Sequence, residues 1–232
     1  MSLNAAQKKQ MALQRRLHRH KRYSVDIELA PGYTLNGLIV GPGILRPEVT
    51  TSLYLARYLF FRNGLYLNKR ALDLGSGCGI QGIVLGLYGA KDIVFSDITR
   101  ESIRNTTENV KRFRLSNNAK IIRSDLFQNI RQKFDRIVFN HPFFPDVPKA
   151  GDIFEIATLA PGELIQRFLK NAKTHLYPDG VIVMPYFHLG GPINDPAKQA
   201  PKHGYSVREN WRLKIHSGSQ QGLVSIYELR LQ

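Results

Sequence analysis

The chain has 232 residues, 43% of them hydrophobic and 22% charged, which suits one soluble domain with an extension. It has no apolar run of the ~18 residues that a membrane-spanning helix needs, and its single cysteine, Cys78, excludes an internal disulfide and argues against a cysteine-based zinc site. The outlying number is the net charge of +15: residues 1–25 hold seven basic side chains and no acid, and the remainder, with 26 basic residues against 18 acidic ones, is still basic. A polyanionic partner such as RNA fits that balance; a basic but merely solvated surface is the alternative.

Met1-Ser2-Leu3 reads as an added leader. The amino terminus lacks the apolar h-region of a secretory signal and is poor in serine for a mitochondrial transit peptide, so a reducing, cytoplasmic setting is expected. Residues 3–22 have helical composition, with Met11, Leu13 and Leu17 among Gln, Lys and Arg. That apolar stripe is thin, which predicts an exposed basic helix that docks weakly or only on a partner. Residues 25–29 and 33–40 read as two short strands around a Pro31-Gly32 turn. After the Gly41-Pro42-Gly43 break, a helix is expected over 48–62.

From Arg70 the pattern alternates. Strands are predicted over 71–74, 92–96, 119–123, 135–139 and 180–184, and helices over 80–88, 100–113 and 163–175. This alternation predicts parallel strands with right-handed crossovers, hence a doubly wound, seven-stranded, mostly parallel Rossmann-like sheet. Residues 205–215 and 223–231 then read as an antiparallel hairpin closing one edge, joined by the segment 217–222. The expected division is a basic helix at 1–24, a hairpin and helix at 25–66, and the main domain at 67–232. Residues 144–160 are long for a loop and contain Pro145, Pro148 and Gly151, which suggests a substrate lid.

Residues 73–82 read Asp-Leu-Gly-Ser-Gly-Cys-Gly-Ile-Gln-Gly. Gly77, Gly79 and Gly82 satisfy the dinucleotide fingerprint, with Asp97 at a plausible distance for a ribose carboxylate. The same stretch satisfies Asp-x-Gly-x-Gly-x-Gly, the loop that holds S-adenosylmethionine. Asp73 discriminates between them, because a carboxylate there repels a pyrophosphate and attracts the donor's ammonium. Asp97 with Ile98 ends the second strand, where the carboxylate can accept two ribose hydroxyls. Asp125 and Leu126 follow the third strand, where the carboxylate can accept from an adenine amine. In their plainer readings, Asp97 caps the helix starting near Thr99 and Asp125 is a turn residue.

The chain resembles class I methyltransferases of the HemK and small methyltransferase domain type, which modify a planar nitrogen. The likeness runs from about Gly41 to Gly204. It rests on the segment from Gly43 to Thr51, the Asp73 loop, Asp97, Asn109, Ser124-Asp125-Leu126-Phe127 and the tetrapeptide Asn140-His141-Pro142-Phe143. That tetrapeptide matches the family's Asn-Pro-Pro-aromatic motif at three of four positions. The resemblance implies S-adenosylmethionine as cofactor, leaving as S-adenosylhomocysteine, with Asp73, Gly75, Ser76, Gly77, Gly79, Asp97, Ile98, Asp125, Leu126 and Asn140 around it. It also implies catalytic roles for Asn140, His141, Pro142 and Phe143, and no metal.

The chemistry suits these residue types. An amide or aromatic amine nitrogen is a poor nucleophile because its lone pair is delocalised. The Asn140 oxygen and the backbone carbonyl of His141 can accept its two N–H groups and so direct the lone pair, while Phe143 stacks on the plane. His141 departs from the pattern: it contacts substrate or a phosphate, takes up the proton, or only fills the missing proline's space. Cys78 reads as a small filler. Tyr186-Phe187-His188 either flank the pocket or edge the core.

The expected acceptor is an adenine or guanine amine in ribosomal or transfer RNA, unstacked into the clamp. The alternative is a protein glutamine amide in a translation factor or ribosomal protein. The short stretch ahead of the hairpin, where HemK enzymes carry a helical domain, tells against that alternative. A binding module without turnover and a dehydrogenase are the remaining readings.

Overall fold

The computed structural model describes residues 3–217 and 220–232, so Met1 and Ser2 of the expected leader and Gly218 and Ser219 of the segment expected to join the last two strands lie outside the described residues. A helix α1 (Ala5–Leu17) precedes a hairpin of β1 (Tyr23–Ala30) and β2 (Tyr33–Val40), and α2 (Thr51–Phe61) follows. Next come β3 (Arg70–Leu74), α3 (Ile80–Leu87), β4 (Asp92–Asp97), α4 (Arg100–Arg112), β5 (Ala119–Arg123) and β6 (Phe134–Phe139). The rest is α5 (Ile153–Thr158), α6 (Gly162–Ala172), β7 (Leu176–Phe187), α7 (Pro196–Gln199), β8 (Tyr205–Ser217) and β9 (Gln220–Leu231).

Seven strands form one sheet in the order β5-β4-β3-β6-β7-β9-β8, and β1 and β2 form a separate two-stranded sheet. The pairs from β5 to β7 are parallel, while β9 lies antiparallel to both β7 and β8. This is the doubly wound sheet with a closing hairpin that the alternation predicts. Buried strands Leu72, Val94, Ile137 and Ile182 carry apolar side chains to one face, packed with Phe168 and Leu169 of α6. The opposite face holds Ala71, Phe95 and Val183 against α2 and α3. Gly82 makes α3's approach possible: a Cβ there would overlap the Phe95 ring, so the last glycine of the fingerprint serves helix–strand packing.

The hairpin is not a separate unit in packing terms. Ile27, Leu29 and Leu38 share a core with Val84 and Phe95. Asn109, fully buried on α4, donates to the carbonyls of Ile39 and Cys78 (both 2.8 Å) and accepts from the Ile39 N–H (2.9 Å). One side chain thus ties β2 to the glycine loop.

Five expectations need correction. Helix α1 is shorter than 3–22 and is docked: Leu3 and Met11 join Phe144, Phe154, Phe187 and Ile215 in a buried cluster. Its stripe looks thin because the docking is largely polar. The Gln7 amide donates to the carbonyls of Leu189 (3.0 Å) and Gly190 (3.2 Å), and Arg15 pairs with Asp152 (2.9 Å) and Glu155 (2.5 Å). Helix α2 starts at Thr51, after a single 3-10 turn at Pro47–Val49, because Thr50 is extended and caps it through its hydroxyl. Helix α6 ends at Ala172 and continues only as a 3-10 turn, and β7 extends well beyond 180–184 in both directions. The segment 144–160 contains α5, capped by Asp152, rather than being irregular throughout. Among the described residues no helix is long and apolar enough to cross a membrane, and no cluster of three or more His, Cys, Asp or Glu is placed to hold a metal.

Candidate active site

The parallel strands β3, β4, β5 and β6 deliver their following loops to one edge of the sheet, the edge where ligands of such folds bind. A cleft of about 380 Å³ opens there. Gly75, Ser76, Gly77, Asp97, Ile98, Asp125, Leu126, Asn140 and Pro142 line it, so nine of the predicted residues converge from four different loops.

The glycine loop adopts backbone that side chains resist. Gly75, Gly77 and Gly79 have φ of 68°, 55° and 84°. Gly79 caps α3 from behind the lining, a position that turns the chain rather than touching a ligand. Leu126 also has positive φ, 47°, at a non-glycine residue on the cleft wall. Such strain costs about 1 kcal/mol and is typical of sites where backbone position matters more than comfort.

Asp73 does not line the cleft, contrary to its expected contact with a donor ammonium. The carboxylate is 1% exposed and accepts the Gly82 N–H at 2.8 Å, beneath the loop at the start of α3. Burial pushes its pKa up to about 7, with the Gly82 bond opposing and Asp97 adding to the rise. Asp73 therefore shapes the loop from beneath.

Asp97 spends both oxygens locally. Oδ1 accepts from the Thr99 N–H (2.9 Å) and Thr99 hydroxyl (3.0 Å), and Oδ2 accepts from the Gly77 N–H (3.0 Å). Thr99, not Asp97, caps α4. Desolvation raises the Asp97 pKa against the pull of these donors. Oδ2, with one local bond, keeps a lone-pair direction, so the local bonds aim the group without saturating it. Asp125 accepts from Arg167 of α6 at 2.6 Å. Arg167 is a cleft residue that the sequence reading missed, since nothing in its helical periodicity marks it. Ile98, 46% exposed, offers an apolar surface that a flat ring would cover. Cys78 is buried in the cleft wall, its thiol pushed up to about 12 by burial.

Asn140 lies where this cleft meets a second, smaller cavity of about 70 Å³. Its carboxamide is held from α2: the Thr51 hydroxyl donates to Oδ1 at 3.0 Å, and Nδ2 donates to the Ser52 hydroxyl oxygen at 2.9 Å. Neither anchor was singled out from the sequence, although Thr51 falls in the segment that carries the resemblance. His141 and Phe143 line the small cavity and Pro142 the large one. The His141 ring is 2% exposed and stacks on Tyr186 at 6.0 Å, edge to face with Phe143 at 5.2 Å. Its Nε2 lies 2.7 Å from the Asn194 carbonyl oxygen, an obligate acceptor, so Nε2 carries the proton. Burial drives the ring's pKa down to about 4, hence it is neutral. Tyr186 and Phe187 therefore back the clamp, while His188 turns to the Ser225 hydroxyl at 2.7 Å.

The donor set fits S-adenosylmethionine. A left-handed glycine turn leaves room for a methionine chain, Asp97 brings a buried carboxylate that ribose hydroxyls could meet, and an exposed isoleucine beside Asp125 could cover an adenine.

Comparison with known proteins agrees. Residues 52–186 match the family model described as methyltransferase small domain. A putative protein N5-glutamine methyltransferase of Methanocaldococcus jannaschii is 32% identical over 154 residues, covering 64% of this chain and 76% of its own. A tRNA (guanine(10)-N2)-dimethyltransferase of Methanothermobacter thermautotrophicus is 28% identical over 181 residues, covering 75% of this chain and 46% of its own. The chain likewise spans only 31% of a bifunctional methyltransferase of Rickettsia conorii and 44% of a release factor glutamine methyltransferase of Borreliella burgdorferi. In structure, the Thermus thermophilus 16S rRNA N2 G1207 methyltransferase, solved with AdoMet and guanosine, superposes with a TM-score of 0.62 at 20% identity, over 92% of this chain and 51% of that one. The chain belongs to the small-domain family of S-adenosylmethionine-dependent methyltransferases.

Proposed function

We propose that the protein methylates the nitrogen of a side-chain carboxamide, of the glutamine type, in a protein of the translation machinery. The observation that carries this reading is the size of the cavity beside Asn140. At about 70 Å³ it is less than half the ~150 Å³ that accommodates benzene. A carboxamide has three heavy atoms to place there; a purine has nine ring atoms. The 32% identity to a putative N5-glutamine methyltransferase supports the same reading.

The residues divide the work. Thr51 and Ser52 fix the Asn140 carboxamide, so Oδ1 keeps its second lone pair for an N–H of the acceptor. The His141 backbone carbonyl takes the other N–H, and the two bonds turn the nitrogen's lone pair toward the cofactor cleft. When bound, S-adenosylmethionine would supply an electrophilic methyl group to that nitrogen, its sulfur retaining the bonding pair. The nitrogen's proton leaves to water: neutral His141, held far below its ordinary pKa, is a poor resting place for it. Pro148, Ile153 and Ala157 of the α5 segment line the wall of the same cleft.

One observation favours an RNA base instead, the net charge of +15. Lys8, Lys9, Arg16 and Arg19 are exposed around α1, a suitable face for phosphates. Transfer of labelled methyl groups to a cell extract separates the readings. Protease-sensitive label that digests to a methylated side-chain amide is the expected result. RNase-sensitive label recovered as a methylated nucleoside overturns it.

A further inference from the structure

Helix α1 carries two faces of different chemistry. Gln10 and Gln14 line the small cavity beside Asn140. At 3.6 residues per turn, Lys8, Lys9 and Arg16 fall on the opposite side, and all three are exposed. Arg19, just past the end of the helix, is exposed as well. The first acidic residue of the chain is Asp26, so no carboxylate on α1 offsets these charges. Arg15 and Arg22 are spent internally, on Asp152 with Glu155 and on Glu108. Among the described residues, no carboxylate pairs with Lys8, Lys9, Arg16 or Arg19.

The second observation is that these free cations stand on a fixed frame. The Gln7 amide holds α1 to the carbonyls of Leu189 and Gly190, after β7, and Arg15 holds it to α5. Beyond the helix, His20 Nε2 lies 3.0 Å from the carbonyl oxygen of Ile44, a residue of the cofactor cleft. The basic face is therefore set about one helix diameter, ~10 Å, from the cavity that the other face walls.

The character of that face selects its partner. The exposed residues of α1 other than Lys8, Lys9 and Arg16 are Ala5, Ala6 and Ala12. It offers no aromatic ring to stack on a base, and no large apolar side chain to enter a bilayer or to anchor a protein interface. Cations without anchors suit a phosphate backbone, which is bound by charge and without regard to sequence.

We propose that the outer face of α1 binds the phosphate backbone of RNA in a ribonucleoprotein, and that the protein component of that particle presents the carboxamide to the cavity. The RNA is then the platform and not the acceptor, which reconciles the basic chain with a cavity too small for a purine. The second half rests on the carboxamide reading above; the phosphate assignment stands apart from it.

The test compares the full-length wild type with a variant carrying Lys8→Gln, Lys9→Gln, Arg16→Gln and Arg19→Gln, changes that keep good helix formers in α1. A control variant neutralises Lys91, Lys120, Arg131 and Lys133, which are exposed near the amino-terminal ends of β4, β5 and β6, away from the cleft. Binding of a fluorescent oligouridylate is titrated with salt. At ~0.7 per phosphate contact, the logarithmic salt slope should fall by about 3 in the α1 variant, so that the wild type loses about 50-fold more affinity from about 50 to 200 mM salt. The control should keep the wild-type slope, and both variants should keep the affinity for S-adenosylhomocysteine and the slow amide exchange of α1. Methyl transfer to intact ribosomal particles should show KM raised about 10-fold by the α1 variant with kcat unchanged. After RNase treatment of the particles the two proteins should be equal. Equal slopes in wild type and α1 variant overturn the phosphate assignment, as does equal loss in the control, or binding to phosphatidylserine vesicles without binding to RNA. Wild-type transfer that is indifferent to RNase, with the slope still lost in the α1 variant, overturns the ribonucleoprotein half alone. Label recovered as a methylated nucleoside, with the same loss of slope, overturns the carboxamide reading and leaves the phosphate assignment standing.

Discussion

Thr51 at the first turn of α2 donates its hydroxyl hydrogen to Asn140 Oδ1 across 3.0 Å, joining two residues 89 positions apart. The bond sets the plane of the Asn140 amide, which in the proposed reaction presents the acceptor. Thr51→Val keeps the shape and removes the donor. Loss of one hydrogen bond of ordinary worth predicts a fall of about 10-fold in methyl transfer. Affinity for S-adenosylhomocysteine should be unchanged, because Thr51 does not line the cofactor cleft. Single-turnover kinetics against equilibrium binding separates the two; a variant that loses cofactor affinity instead would assign Thr51 to the cleft.

Asp73 predicts a pH dependence of cofactor binding. Its carboxyl is raised to about 7 by burial, so the free protein holds it largely protonated below that pH. A cationic methionine group near the glycine loop favours the ionised form, so binding releases a proton. Affinity for S-adenosylhomocysteine should therefore rise with pH up to about 7 and level off above it. Asp73→Asn retains an acceptor for the Gly82 N–H and should flatten the profile. Calorimetry in buffers of different ionisation enthalpy reads the proton release directly.

The fold was legible from residue 70 onward because alternating strands and helices leave a strong pattern, and the glycine turn marks its own place. What escaped depends on distance in sequence. Asn140 can be read as a clamp, but not that Thr51 and Ser52 hold it, since nothing local to either segment records the pairing. Asp73 was placed against a ligand because its motif says so; its carboxylate instead faces the Gly82 N–H, a bond set by the turn between them. The docking of α1 was invisible for a chemical reason. Hydropathy counts Gln7, Gln10 and Arg15 as solvent-facing, whereas Gln7 and Gln10 are buried and Arg15 is engaged by two carboxylates.

That docking yields a prediction of its own. The Arg15 bridge is partly exposed, so it contributes about 1 kcal/mol rather than several. Arg15→Ala should leave the global unfolding midpoint nearly unchanged, because the main core lies elsewhere. Amide hydrogen exchange should quicken about 5-fold in α1 and α5 and not in β3 or β4. Added salt should produce the same change in the wild type and none further in the variant. Uniform quickening over the whole chain would show that α1 belongs to the global folding unit.

His141 makes the last prediction, on stability. Its ring is pushed down to about 4 by burial, while in the unfolded chain it titrates near 6.5. Above pH 6.5 the ring is neutral in both states and contributes no pH dependence. Between 6.5 and about 4 the unfolded state takes up a proton that the folded state refuses, so stability falls as pH falls. The full loss from this group is about 3 kcal/mol, reached near pH 4 and constant below it. Asp73, raised rather than lowered, works in the opposite direction: over much of the same range the folded state holds the extra proton, and stability gains as pH falls. Single variants are therefore needed to separate the two. His141→Phe should remove the acid-side loss, so that its unfolding free energy, measured by urea titration, falls less than that of the wild type from pH 6.5 to 4.5. Asp73→Asn should make the same fall steeper. If both variants show the wild-type slope, the two buried groups do not titrate as their surroundings require.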